Sequence, residues 1–433
     1  MKLAKYILVT LLIFPALLNA QVSPGETGTY ALTNARVETI TNGVLENATV
    51  IIQDGKIAAV GQSVSVPAGA EVIDCSNKTV YPGMIDSGTR IGLVEVNSDP
   101  RTRDFSEIGE VVPQMQALTA VNPNSALIPV TRVSGVTTAL TVPSGGVFPG
   151  TAALINLYGY TPDQMYAGFK AVVMEFPVTG RRGWWDSRSD EEIQKAVDER
   201  MNSISEVWKK AKAYARIDSA IQAGNDETEL GYYPEMEALL PVVQGKMPLL
   251  IQVNTAKDIE KVLQWVKENE VKAVLTGVAE GWRVAEELAK SGIPVITGPV
   301  LSQPTRAYDR YDKAYANAGL MAKAGVKVAI QTSEAENVRN LPYHAGFAAA
   351  YGMGRDEALK AITIVPAQIF GVADELGSIE EGKIANLFIA DGDILETSTK
   401  VEQVFIDGWK VPMESRQTQL YEEFLERSPG VNK

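Results

Sequence analysis

Residues 80–90 read VYPGMIDSGTR, and the character of the sequence changes at this point. Before it, residues 48–60 read ATVIIQDGKIAAV, which is two strand-like runs joined by an Asp-Gly pair typical of a β-hairpin. After it, apolar runs of strand length alternate with helical patterns. Residues 248–253 (PLLIQV), for example, are followed by apolar residues at helical spacing over 256–269. Such alternation is typical of parallel βα units, in a barrel or in a doubly wound sheet.

Strand-like sequence returns near the C-terminus. Residues 385–390 (ANLFIA) and 401–406 (VEQVFI) are apolar runs, and an Asp-Gly pair follows each of them. These segments resemble the N-terminal strand-like region more than they resemble the middle of the chain. We therefore expect both ends of the chain to form one composite β domain. Residues 415–427 predict a final helix.

The composition excludes several classes of function. The chain has 433 residues, of which 45% are hydrophobic and 21% charged, as in an ordinary globular protein. It contains one histidine, His344, and one cysteine, Cys75, so one chain can form neither a site with two imidazoles nor an intrachain disulfide. The formal net charge of −13 argues against nucleic acid or an anionic membrane as a partner.

The first twenty residues predict a signal peptide. Lys2 and Lys5 precede an apolar stretch over residues 6–18, and Ala20 provides a small residue before a cleavage point. The stretch is shorter than the ~20 apolar residues of a membrane span. We expect export to the periplasm or cell envelope, with an uncleaved anchor as the alternative.

Five motifs carry a resemblance to a known family: residues 33–37 (TNARV), 52–61 (IQDGKIAAVG), 80–86 (VYPGMID), 377–387 (GSIEEGKIANL) and 406–408 (IDG). In this order they resemble the amidohydrolase superfamily, near its imidazolonepropionase-like and dipeptidase-like members. The resemblance implies an α/β fold, a (β/α)8 TIM-like barrel with a small composite β-sandwich, and hydrolysis of C–N bonds in amides or cyclic amides. The expected division of the chain is a signal peptide at 1–20, sandwich parts at 21–80 and 374–412, the barrel at 81–373, and a C-terminal helix and tail at 413–433.

The resemblance also implies a metal site at the C-terminal ends of the barrel strands, where the metal activates a water. The family's ligands are a His-x-His after the first strand, histidines on the fifth and sixth strands, and an aspartate on the eighth. Here the first strand is followed by Gly88 and Arg90, and Ser333 stands where the aspartate belongs. Glycine has no donor atom, a guanidinium repels a cation, and hydroxyls bind divalent metals weakly. We therefore expect a divergent member without the metal-binding histidines, with no metal ligand and no cofactor.

The ends of barrel strands converge, so residues at these ends predict a shared pocket for a small anionic or amide-containing ligand. The pocket residues are Arg90, Gln252, Asn254, Thr276 and Ser333.

Arg90 has two interpretations. As a fixed cation it binds an anionic ligand or stabilises an oxyanion. Alternatively, it forms a structural ion pair with a carboxylate such as Asp86, Glu95 or Asp99. We expect His344 to be a surface or helix-capping residue. A catalytic role would require a Ser-His-Asp triad, and the chain contains no GxSxG or SxxK motif that would support serine chemistry.

Two classes of function remain open. One is an exported binding or scaffold protein in which metal-dependent catalysis is lost. The other is a hydrolase with altered chemistry, either metal-free or using a metal held by carboxylates, for which Asp86 and Glu95 are the candidate catalytic residues. A homo-oligomer or a complex with a related subunit is compatible with both.

Overall fold

The computed structural model describes residues 24–181, 186–224 and 231–427. The predicted signal peptide at 1–20 lies outside these residues. The described strands, in chain order, are β1 (Tyr30–Glu38), β2 (Val44–Gln53), β3 (Lys56–Gly61), β4 (Glu71–Asp74), β5 (Thr79–Pro82), β6 (Met84–Thr89), β7 (Val136–Thr141), β8 (Gly150–Asn156), β9 (Tyr166–Glu175), β10 (Leu249–Val253), β11 (Ala273–Gly277), β12 (Val295–Thr297), β13 (Val328–Ile330), β14 (Leu387–Ala390), β15 (Val401–Ile406) and β16 (Trp409–Val411).

The described α-helices are α1 (Ala117–Ala120), α2 (Leu127–Arg132), α3 (Pro162–Met165), α4 (Asp190–Gln222), α5 (Pro234–Val243), α6 (Ala256–Asn269), α7 (Ala285–Ser291), α8 (Lys313–Lys323), α9 (Leu341–Ala348), α10 (Arg355–Lys360), α11 (Ile364–Ile369) and α12 (Arg416–Glu426). Among the residues described, no helix is both long and apolar enough to cross a membrane.

Strands from both ends of the chain form the small β domain, as predicted. The sheet order is β16-β15-β14-β5-β1-β2-β3, and β4 pairs with β1. The two ends of the chain meet where β5 pairs antiparallel with β14. All eight strands belong to one continuous hydrogen-bonded sheet, instead of the two separate sheets of a simple sandwich. The reason is that β1 pairs with β4 along its first half and with β5 along its second.

The other eight strands form the barrel, in the order β6 to β13. The first and last strands meet through backbone hydrogen bonds: the Ser333 N–H donates to the Gly88 carbonyl (3.0 Å), and the Arg90 N–H donates to the Glu334 carbonyl (2.9 Å). The TIM-like α/β architecture is therefore confirmed.

One strand departs from the parallel arrangement that the alternating pattern predicts. Strand β8 runs antiparallel to both β7 and β9. The connection between β7 and β8, residues 142–149, is shorter than the dozen or so residues that a parallel crossover needs. The third strand of the barrel therefore turns back as a hairpin.

The interior of the barrel closes at the N-terminal ends of its strands. Inward-facing side chains form an apolar layer there, which includes Ile85, Val173, Leu250, Val274, Ile296 and Ala329. Helix α11 packs Ile364 and Ala367 against this layer. The opposite, C-terminal end remains as the mouth of the barrel, where a site is expected in this fold.

Local signals in the sequence placed several helices well. Helix α6 covers the predicted residues, and the Thr255 side chain caps it by accepting from the Asp258 N–H (3.3 Å). Helix α12 begins after Ser415, whose side chain caps it. Helix α8 begins at Lys313, after a turn region over residues 308–312.

Candidate functional site

A layer of polar side chains lies directly above the apolar layer of the barrel. Side chains two residues apart on a strand share a face, so Glu175 and Gln252 follow Val173 and Leu250 on the inward side. The register confirms the alignment, since Gln252 is paired with Glu175 on one side and with Thr276 on the other. The mouth of the barrel is therefore lined by a carboxylate, an amide and a hydroxyl.

Gln331 completes this layer from the last strand. Its Oε1 accepts a hydrogen bond from the Thr276 hydroxyl (3.0 Å), and its Nε2 donates to the Ser333 hydroxyl (2.9 Å). The side chain is 5% exposed. Gln331 thus links two predicted pocket residues, although no role was predicted for it from the sequence. Its position two residues after the inward-facing Ala329 is the signal that identifies it.

The Gln331 amide also occupies the space in front of Gly88. A Cβ atom at Gly88 would lie 2.1 Å from Gln331 Oε1 and 3.0 Å from Cδ. Any side chain at this position, a metal-binding histidine included, requires the Gln331 side chain to move.

Arg90 lies at the same end of the barrel, and its guanidinium forms no ion pair with a carboxylate of the described residues. Its Cζ is 4.3 Å from the centroid of the Phe105 ring, and the side chain is half-buried. Within the described ranges, no carboxylate oxygen comes within 4.0 Å of it. Burial lowers the pKa of Arg90 from its ordinary value, and the carboxylates of Glu175 and Glu334 oppose this shift.

The predicted ion pair of Arg90 with Asp86, Glu95 or Asp99 is therefore wrong. Each of these carboxylates has another partner. Asp99 forms a salt bridge with Arg101 (2.7 Å), and Glu95 accepts a hydrogen bond from Asn122 (2.9 Å). Arg90 remains a half-buried cation that contacts an aromatic ring.

Asp86 is fully buried and joins the first and last strands of the barrel. It accepts hydrogen bonds from the Thr332 backbone N–H (3.1 Å), the Thr332 hydroxyl (2.5 Å) and the Gly88 N–H (3.1 Å). Burial raises the pKa of Asp86 to about 7, although these hydrogen bonds lower it. With no exposed surface, this candidate catalytic residue is placed to close the barrel and not to contact a ligand.

Glu95, the other candidate catalytic residue, lies in the loop after β6 and is not among the groups that influence the pKa of Arg90. Glu175 is the carboxylate at the mouth that does. One Glu175 oxygen accepts from the Gly145 N–H (2.7 Å). Glu175 was not predicted from the sequence, and the signal that identifies it is its position as the last residue of β9, in register with Gln252.

The structure places the five predicted pocket residues at two different sites. Arg90, Gln252, Thr276 and Ser333 lie at the mouth, the last two joined through Gln331. Asn254 instead lines a separate cavity beside Trp282.

His344 is neither a surface residue nor a cap, so that prediction is wrong. It is 4% exposed, and its Nδ1 accepts a hydrogen bond from the Val300 N–H (3.1 Å). Burial lowers the pKa of His344 to about 4. The imidazole is therefore a neutral packing residue at physiological pH.

The residues at the implied metal positions do not fit a divalent metal ion. Gly88 offers no donor atom and faces an amide, while Arg90 carries a positive charge. Among the described residues, no group of three or more His, Cys, Asp or Glu side chains is arranged to hold a metal ion.

Comparison with known proteins agrees with this fold. A model of the amidohydrolase family matches residues 79–411, which is most of the chain. The chain belongs to the amidohydrolase family. An imidazolonepropionase from Geobacillus sp. (strain WCH70) is 26% identical over 391 residues, covering 80% of this chain and 84% of that protein. A second imidazolonepropionase, from Brucella anthropi, is 34% identical over 84 residues, and this match spans only 20% of that protein.

Among solved structures, an amidohydrolase from Thermotoga maritima MSB8 is similar to this amidohydrolase-family chain with a TM-score of 0.77. The sequence identity is 24%, and the match covers 88% of this chain and 99% of the other. The predicted family and its imidazolonepropionase-like branch are confirmed. Membership of this family supports the assignment of the chain to the hydrolases.

Proposed function

We propose that this amidohydrolase-family protein is an exported binding protein that has lost metal-dependent hydrolysis and holds a small anionic or amide-containing ligand at the mouth of the barrel. The observation that carries the proposal is the Gln331 amide in front of Gly88, 2.1 Å from the position of a Cβ there. This amide stands in place of a metal-binding side chain.

The chemistry of the mouth supports this class of ligand. Arg90 has no carboxylate partner among the described residues, so its charge is available to an anionic group. The amide of Gln252 is exposed, and Ser333 is exposed as well. These groups provide donors and acceptors suited to a carboxylate or an amide.

Replacement of Arg90 by alanine is expected to weaken the binding of N-acetylglycine, which carries an amide and a carboxylate, by roughly tenfold or more. A charge-assisted hydrogen bond contributes about 1.5–3 kcal/mol, and 1.4 kcal/mol corresponds to a factor of ten. Arg90→Lys should restore only part of the affinity, because an ammonium lacks the planar fork of the guanidinium. Isothermal titration calorimetry measures the affinity of the unmodified, Arg90→Ala and Arg90→Lys proteins for N-acetylglycine.

Arg101→Ala is the matched control, since Arg101 is an exposed arginine in the loop after the same strand, paired with Asp99. It should bind N-acetylglycine as the unmodified protein does. Equal affinity of the Arg90→Ala and unmodified proteins for N-acetylglycine, acetate and phosphate would remove Arg90 from the proposed site.

A second candidate function is hydrolysis without a metal. The observation that favours it is Glu175, a carboxylate at the mouth that interacts with Arg90. Here Glu175 takes a proton from a water that attacks the amide carbonyl carbon, and Arg90 stabilises the negative charge that develops on the carbonyl oxygen. The C–N bond then breaks as the protonated Glu175 returns its proton to the departing nitrogen. Hydrolysis of N-acyl amino acids or cyclic amides by the unmodified protein, abolished in Glu175→Gln, would favour this candidate over simple binding.

Export is supported by the sequence of residues 1–20, which lie outside the described part of the chain. We expect cleavage near Ala20, because a basic start and an apolar stretch precede this small residue. Intact-mass measurement on protein from fractionated cells should find a mature chain beginning near Gln21 in the periplasmic or extracellular fraction. An intact Met1 on cytoplasmic protein would contradict export.

A further inference from the structure

The C-terminal helix α12 has an apolar face that the rest of the subunit does not cover. Leu420 and Tyr421 lie four and three residues before Phe424, so the three side chains share one side of the helix. They are 39%, 61% and 53% exposed, and none of the 11 residues of α12 is buried. A helix of this length is marginal in water by itself, because most helical stability in proteins comes from packing of the apolar face. The exposed face of α12 is therefore suited to contact with another surface.

Arg132 is an unpaired cation on the neighbouring helix α2, which α12 contacts. It is only 6% exposed, yet its side chain forms no hydrogen bond and no ion pair with any described residue. Its Nε is enclosed without a partner, whereas the two terminal nitrogens are not among the enclosed atoms and remain within reach of a group from outside the subunit. A buried arginine is rarely found without a partner. Arg132 therefore indicates that an anionic group docks here.

Aromatic side chains join these two features into one surface. The Tyr158 ring centroid lies 5.3 Å from Arg132 Cζ and 5.8 Å from the ring centroid of Trp409, on the strand β16 that precedes α12. The exposed Tyr160 packs edge-on against Tyr158 (6.3 Å). We call Arg132, these three aromatic residues and the apolar face of α12 the C-terminal patch. Tyrosine, tryptophan and arginine are the residues most enriched at the centres of protein interfaces.

The segments of the chain that adjoin this patch bring no carboxylate side chain to Arg132. The Gly25 N–H donates to the Tyr158 hydroxyl (2.7 Å), so the described chain begins beside the patch. Residues 1–23, and residues 428–433 after α12, contain no aspartate or glutamate. A carboxylate for Arg132 is therefore expected from another molecule.

The patch itself carries carboxylates of the kind that Arg132 lacks. Glu422 and Glu426 of α12 are exposed, and neither forms an ion pair within the described part of the chain. An unpaired cation and unpaired carboxylates thus lie on one surface without meeting inside the subunit. A two-fold axis places the same patch of a second copy opposite the first, so each copy supplies what the other lacks.

We propose that the C-terminal patch is the interface of a two-fold homodimer. The apolar faces of the two α12 helices pack against each other, and Arg132 of each copy pairs with Glu422 or Glu426 of the other. The interface is independent of the function proposed for the mouth, because α2 and α12 contribute no residue to that site.

Light scattering after size-exclusion chromatography of the mature protein, at about 100 µM, tests the proposal. We expect twice the mass of one chain. The double variant Tyr421→Ser/Phe424→Ser should have the mass of a single chain, because it removes most of the apolar contact between the helices. Tyr232→Ser is the matched control, since it removes a 78% exposed tyrosine that lies before α5, and it should remain a dimer.

Arg132→Met distinguishes an interface role from a structural one. Sedimentation equilibrium should show dimer affinity weakened by roughly tenfold or more, because the charged pair between the copies is lost. The melting temperature of the monomer should be retained, since replacing an unpaired buried charge with an apolar residue is often neutral. Glu422→Gln/Glu426→Gln should weaken the dimer to a similar extent.

Three results would overturn the proposal. The first is a monomer at about 100 µM, which would assign the patch to a different protein. The second is a dimer that persists in Tyr421→Ser/Phe424→Ser, which would place the interface on another face. The third is unchanged dimer affinity in Arg132→Met, which would leave Arg132 as a packing partner of Tyr158 alone.

Discussion

Replacement of Asp86 by alanine is expected to lower the free energy of unfolding by roughly 2–6 kcal/mol. The carboxylate accepts from the backbone N–H groups of Thr332 and Gly88 at the point where the barrel closes. Alanine leaves both donors buried without a partner, and each such donor costs about 1–3 kcal/mol. Denaturant unfolding monitored by circular dichroism measures the loss.

Asp86→Asn separates the hydrogen-bonding role from the charge. Because burial raises the pKa to about 7, the folded protein holds the Asp86 proton more tightly than the unfolded chain, in which the carboxyl titrates near pH 4. The stability that the bound proton contributes is fully present below pH 4 and is lost as the pH rises through about 7. Asparagine resembles the protonated acid. Asp86→Asn should therefore retain most of the stability of the unmodified protein at pH 5 and be more stable than the unmodified protein at pH 8.

Measuring the melting temperatures of both proteins at pH 5 and at pH 8 tests the direction of this effect. The difference between the asparagine variant and the unmodified protein should move in favour of asparagine as the pH rises. A constant difference would show that Asp86 is ionised in the folded protein throughout this range.

Replacement of Glu280 by alanine is expected to lower the free energy of unfolding by about 1–3 kcal/mol, because it leaves the Ala256 N–H without its acceptor and the 38% exposed Arg306 side chain without its carboxylate. The Glu280 side chain is 1% exposed and is paired with the Arg306 guanidinium (2.5 and 2.6 Å). It also accepts from the Thr305 hydroxyl and from the Ala256 N–H at the start of α6. One carboxylate therefore fixes the loop after β12 against the neighbouring helix.

Two variants control the interpretation of Glu280→Ala. Glu286→Ala removes an exposed glutamate that is paired loosely with Lys290 (3.8 Å), and it should change stability by less than about 1 kcal/mol. The double variant Glu280→Ala/Arg306→Ala should be less destabilised than the sum of the two single variants, because no unpaired charge remains. Chemical denaturation of the four proteins gives the coupling energy, and strict additivity would contradict a direct pair.

Burial raises the pKa of Glu280, but the hydrogen bonds from Arg306, Ala256 and Thr305 outweigh it, so the net pKa is lowered. The contribution of this carboxylate to stability is therefore present above its unfolded pKa and lost as the pH falls through the folded value. The loss of stability caused by Glu280→Ala should therefore be smaller in acid. The contribution of Asp86 has the opposite pH dependence, since it is largest in acid.

The sequence predicted the β domain and the barrel because their signals are local or carried by long motifs. The hairpin at Asp54-Gly55 and the helical spacing over residues 256–269 depend on neighbouring residues alone. The antiparallel direction of β8 was not predicted, because an apolar run does not indicate strand direction.

The composition of the site was predicted less well than the fold. Arg90, Thr276 and Ser333 lie at the mouth as expected, while Asn254 lines the separate cavity beside Trp282. Family position indicates where a strand ends but not which way a side chain points after it. Gln331 was missed because its role depends on the absence of a side chain at Gly88, on the first strand, which the last strand meets where the barrel closes.

The proposed loss of the metal is tested most directly by elemental analysis of the mature protein, purified without chelators. The account predicts less than about one-tenth of an equivalent of zinc, nickel, iron and manganese per chain, since the positions that would bind metal hold Gly88, Arg90 and Ser333. One or two equivalents of a transition metal per chain, removed only by strong chelators, would contradict it.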